Sequence, residues 1–108
     1  MKSQFEKIVQ EDFNQFRDIA TRFQKVNMED LLELYQLSKD ALLLQTRWSE
    51  IQSNASKIAA TYKDINKTDF ATWAYQKYRI LQELQITVRS WYRLSKDDER
   101  ATYMNGDN

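Results

Sequence analysis

Cysteine, histidine and proline are absent from this chain of 108 residues, and glycine occurs once, at Gly106. Each absence excludes something. Without cysteine there is no disulfide and no thiolate metal site. Without histidine the commonest general base, the commonest metal ligand and the usual pH switch are gone. The Glu-x-x-His pairs of a di-iron bundle cannot be built, and no glycine-rich loop can cradle a phosphate. Carboxylates do stand in runs, at Glu11-Asp12, Glu29-Asp30 and Asp97-Asp98-Glu99. Neighbours in a helix point to different faces, so these runs read as solvated charge rather than shared sites. A non-enzyme with no cofactor and no small-molecule substrate is expected. No apolar run reaches the length of about 15–20 residues that a membrane helix or a secretory signal needs. The expectation is therefore a soluble, cytoplasmic protein without membrane contact.

Missing glycine and proline also remove the chemistry of tight turns and hairpins. Long helices joined by polar turns remain, and 42% apolar residues suffice for a core. From residue 3 to 26 the apolar positions Phe5, Ile8, Val9, Phe13, Phe16, Ile19, Ala20, Phe23 and Val26 form one helical stripe. Asn27 followed by Glu29 and Asp30 looks like a cap that starts a second helix at Met28.

That second helix carries the clearest pattern. Leu34, Leu37, Ala41, Leu44, Trp48, Ile51, Ala55, Ile58, Tyr62 and Ile65 follow alternating steps of three and four. This is the a/d seam of a coiled coil. Leu31, Leu32, Tyr35 and Leu42 widen its first half. Ser53-Asn54-Ala55-Ser56 is its weakest stretch, because such side chains compete for backbone hydrogen bonds. The apolar phase crosses it unchanged, which favours one continuous helix to about residue 65. Thr68 or Asp69 can cap a third helix over residues 69–94, with Phe70, Ala74, Lys77, Leu81, Leu84, Val88 and Trp91 as its seam. Ser95-Lys96-Asp97-Asp98 resembles a capping box that would start a short fourth helix over 96–104, leaving 105–108 as a disordered tail.

The fold class expected is all-α. It is an antiparallel three-helix bundle in one domain, residues 1–104, built on a long coiled-coil-like helical hairpin. A first helix of about 36 Å covers little more than half of a second helix of about 57 Å. The tip of the hairpin is then left with two helices and a surplus of apolar side chains. Such a surplus marks an interface, so Tyr62, Ile65, Phe70, Trp73 and Ile80 are the expected anchors for a second copy or another helical protein. The leading functional expectation is a self-associating helical assembly or adaptor protein. An inhibitor or immunity-type protein that blocks a partner would use the same surface.

Sixteen basic residues balance sixteen acidic ones, yet the third helix is locally basic. Between Asp69 and Lys96 the cations Lys77, Arg79, Arg89, Arg93 and Lys96 face only Asp69 and Glu83. Tyr75, Gln82, Arg89 and Lys96 recur every seven residues, beside a second row through Arg79, Arg93 and Arg100. Arginine and aromatic residues on one helical face suit a nucleic-acid backbone. The alternative expectation is thus an accessory subunit of a nucleoprotein complex that contacts nucleic acid through Tyr75, Arg79, Arg89, Arg93 and Lys96.

Overall fold

The computed structural model of the chain describes residues 4–105, with the side chains of residues 4–97. It is all-helical, with no strand among the described residues. The helices are α1 (Gln4–Ile8), α2 (Gln10–Lys25), α3 (Leu31–Ser53), α4 (Ala55–Ala60) and α5 (Lys67–Asn105). None of the described helices is long and apolar enough to cross a membrane.

The first stripe forms two helices, not one. Val9, at φ −121° and ψ 43°, separates α1 from α2, although its carbonyl still accepts from Phe13 N at 2.9 Å. Periodicity alone cannot reveal this, because the apolar phase runs through Val9, itself buried. The next boundary also differs from the expected one. Asn27 Oδ1 accepts from Glu29 N at 2.9 Å and closes a local turn. Asp30 is the true cap of α3, its carboxylate accepting from Glu33 N at 3.1 Å.

The heptad seam holds from Leu34 to Ile51, where every a/d position is buried. It then meets Asn54, at φ −104° and ψ 14°, which divides α3 from α4. Asn54 Nδ2 donates to Glu50 O at 2.9 Å, the same carbonyl its backbone N–H reaches at 3.0 Å. The side chain competes with the ladder without abolishing it, since Ile58 N still reaches Asn54 O at 3.0 Å. Beyond the break the seam shifts. Ala59 is buried where Ile58 was expected, Ile58 is half-buried, and Tyr62 is exposed in the turn after α4. The continuous helix expected to residue 65 ends at Ala60.

Asn66 begins α5: its side chain accepts from Asp69 N at 3.0 Å, and its carbonyl accepts from Phe70 N at 3.0 Å. Neither Thr68 nor Asp69 is the cap. Once started, α5 runs 39 residues without interruption. Ser95 starts no fourth helix, since α5 runs through it, and its hydroxyl donates to Met28 O at 2.9 Å. Of the tail expected at 105–108, residues 106–108 lie outside the described residues, and Asn105 is the last residue of α5.

The core lies between α3 and α5, with α2 on one side. Tyr35 near the start of α3 meets Tyr92 late in α5, and Trp48 meets Trp73 at 5.8 Å. The expected uncovered tip is not found. Arg47 pairs with Asp12 and Arg22 with Asp40, a register that carries the start of the chain to the far end of the hairpin. There Gln4 Nε2 donates to Asp64 O at 3.4 Å, and Phe5 packs 5.8 Å from Phe70 and 5.7 Å from Trp73. The molecule is long and thin, 69 × 24 × 15 Å between Cα atoms.

Candidate functional site

Contacts of α2 define one side of the α3–α5 pair. Phe16 meets Trp48, Phe13 meets Trp73, and Phe23 meets Trp91 at 4.8 Å. Ion pairs follow the same seam. Arg22 lies 3.1 Å from Asp40, 3.2 Å from Asp18 and 3.5 Å from Glu33. Arg47 lies 3.1 Å from Asp12 and 3.6 Å from Glu50, and Arg17 lies 3.4 Å from Glu6. Burial pushes the Arg22 guanidinium down, but hydrogen bonds to Asp18 and Asp40, with the charges of Asp40 and Glu33, outweigh it. Its pKa therefore stands above the ordinary value. The Arg47 guanidinium is raised too, chiefly by its hydrogen bond to Asp12 and the Asp12 charge. A groove of about 320 Å³ between α2 and α3 contains Asp18, Arg22, Asp40 and Arg47, so its charges are already matched.

The other side of the α3–α5 pair has none of the other described helices on it. At about 100° per residue, Tyr35, Lys39, Leu42 and Gln45 fall on the side of α3 away from α2. On α5 the same side carries Tyr75, Gln82, Ile86, Arg89, Arg93 and Lys96. The two halves meet where the Tyr35 and Tyr92 rings approach to 5.6 Å. Lys39 sits over the Tyr35 ring at 5.5 Å and Lys96 over Tyr92 at 5.9 Å, each contact holding a cation at the surface. Lys39, Arg79, Arg89, Arg93 and Lys96 have no ion pair among the described residues. Arg79 donates instead to Gln82 Oε1 at 3.3 Å. Glu83 and Asp97, one turn on from Arg79 and Arg93, do not close on them.

The expected interface residues do not come together as one surface. Phe70 is fully buried at 0% exposure. Trp73 is half-buried among Phe5, Phe13, Trp48 and Phe70. Ile65 packs on the core, Tyr62 is exposed in the turn, and Ile80 is exposed on the flank of α5 nearer α2. By contrast Tyr75, Arg79, Arg89, Arg93 and Lys96 are all exposed and fall within about 100° of arc on α5. Arg100, part of the same row, has no described side chain.

Lys39 was not among the expected site residues, and Tyr35 and Leu42 were expected only to widen the seam. A signal existed: Tyr35 and Leu42 are seven residues apart and offset from the a/d positions. That offset puts them on a flank, and only the placement of α2 decides that this flank stays open. Compared with family models, with curated proteins and with solved structures, the chain matches none.

Proposed function

We propose that this chain is a non-catalytic helical binding module that works through the open face of its α3–α5 pair. In this reading the fold is an antiparallel three-helix bundle on a coiled-coil-like hairpin, with α2 as the third helix. What carries the reading is apolar surface left on the side that α2 does not cover. Leu42 is 52% exposed and Ile86 55%, with Tyr35 on the same flank of α3 as Leu42 and Tyr75 farther along α5. Apolar residues grouped in this way mark a surface that another macromolecule covers. Assembly and adaptor roles use such a surface, and it replaces the hairpin tip, which α1 covers, as the place where they operate.

The test has two arms. Sedimentation equilibrium across micromolar concentrations reads self-association, and titration with a single-stranded polyanion reads binding of an unlike partner. Leu42→Glu and Ile86→Glu are expected to weaken whichever association occurs, while helical content by circular dichroism stays unchanged. A chain that remains monomeric and leaves the polyanion unbound overturns the proposal.

A further inference from the structure

We propose that the open α3–α5 face binds single-stranded nucleic acid, phosphates lying on Lys39, Arg89, Arg93 and Lys96 and bases stacking on Tyr35 and Tyr75. The inference rests on the reading of this face as the working surface and names its occupant.

Charge selects an anion. The chain is neutral as a whole, but its described ion pairs all lie on the α2 side, where Arg17, Arg22 and Arg47 take six carboxylates. The open face keeps cations from both helices without an acid among the described residues closed upon them. An occupant with regularly spaced negative charge gains at each of these positions, and one with its own lysines does not.

The floor of the face then distinguishes a nucleic acid from an acidic helix. Between α3 and α5 on this side stand Gln45 and Gln85. Gln85 is only 6% exposed, and Gln45 Oε1 is buried with no hydrogen-bond partner. A fourth helix packing here would need an apolar floor to hold it. Amides here leave the floor polar instead, and Gln45 Oε1 still lacks a donor, which a base edge or sugar hydroxyl carries. Leu42 and Ile86 flank it as apolar contacts.

The walls favour unpaired bases. Tyr35 and Tyr75 are about half exposed; the Tyr75 ring meets no other ring or cation among the described residues, and the Tyr35 ring takes a base where Lys39, now over it at 5.5 Å, turns to a phosphate. A duplex keeps its base faces stacked on one another and offers no such partner, whereas a single strand does. From Tyr75 to Lys96 the strip extends about 32 Å along α5, enough for several successive nucleotides.

The experiment is fluorescence anisotropy on the full chain with labelled RNA and DNA single strands of about 16 nucleotides, and a duplex of equal length. Single strands are expected to bind more tightly than the duplex. With about four phosphate contacts, affinity falls about 50-fold between 50 and 200 mM salt. Arg89→Glu with Arg93→Glu lowers affinity at least about tenfold and flattens the salt dependence, because two contacts are gone. Tyr75→Ala lowers affinity about tenfold and leaves the salt dependence unchanged, since stacking releases no counterion. Arg17→Glu, on the paired side, changes neither. Circular dichroism checks that each variant remains helical. No binding at the lower salt overturns the inference, as do a preference for duplex or an equal loss with Arg17→Glu. If nucleic acid fails while the chain self-associates and Leu42→Glu dissociates it, the occupant is a second copy and only this inference falls. If both fail, the binding-module reading falls with it.

Discussion

Trp48 shows how a single side chain organises this molecule and what it costs. It is fully buried, and its ring meets Phe16 at 6.1 Å and Trp73 at 5.8 Å. Its Nε1–H, however, is buried without a hydrogen-bond partner. An unmade bond of this kind works against stability, while the large apolar ring works for it. Trp48→Ala is expected to destabilise by about 3–5 kcal/mol, because a ring-sized cavity opens between α2, α3 and α5. Trp48→Phe is expected to lose much less, since it keeps most of the ring and removes the orphaned donor. Urea unfolding of both variants checks this, and a larger loss for phenylalanine than for alanine would refute the account. Lys77 is a second residue-scale case. It sits in the expected seam of α5, and its ammonium lies 5.9 Å from the rings of Phe13 and Trp73. A charged residue in an apolar row is thus accommodated by aromatic faces.

At the scale of elements, the legible parts were those fixed by period, and the illegible ones those fixed by asparagine and aspartate. The seam from Leu34 to Ile51 follows from spacing alone, because only one helical face can collect those residues. The caps do not follow. Asn27 and Asp30 both can accept a backbone N–H, and a turn and a helix start use the same side-chain chemistry. Asn27 takes Glu29 N and Asp30 takes Glu33 N, a division that spacing cannot foresee. The same holds at Asn66, which displaces Thr68 and Asp69 as the cap of α5. Asp30→Ala and Asn66→Ala are each expected to cost about 1 kcal/mol in chemical unfolding, the usual loss for a cap. The cover of the tip is hidden from the sequence for a related reason. Its cover depends on the register of α2 and on the break at Val9, and neither leaves a mark in the apolar pattern. Phe5→Ala should therefore loosen the hairpin tip first. Amide exchange is expected to quicken around Phe70 and Ala74 while the turns around Val88 keep their protection.

The whole molecule is neutral in sum and polarised in space. The basic row of α5 was legible, since five of its cations stand among two acids along the chain. The contribution of Lys39 and Tyr35 was not, because a charge count does not say which side of a helix pair a third helix will cover. The two sides should respond differently to neutralisation. Arg22→Gln breaks contacts to three carboxylates and is expected to lower stability by about 1 kcal/mol at low salt, less as salt rises. Arg89→Gln and Arg93→Gln should each stay within about 0.5 kcal/mol of the parent, since neither has an ion pair among the described residues. Urea titrations at two salt concentrations separate these cases. The Arg22 contribution has a defined sign with pH. Its pKa is raised on folding, so its stabilisation is complete below the unfolded guanidinium value and lost only as pH climbs through the folded one. Both lie far above neutrality, so titration of Arg22 itself leaves the contribution flat across the physiological range.

The chain of rings through the core is also an optical circuit. Trp48 and Trp73, 5.8 Å apart, are close enough for their indole transitions to couple, giving a near-ultraviolet signal that exists only while α3 and α5 hold their register. Trp91, with Phe23, sits toward the other end of the molecule. Removing one indole at a time would leave separate native reporters for the two ends. Opening of the tip and opening of the opposite end could then be followed in the unlabelled protein.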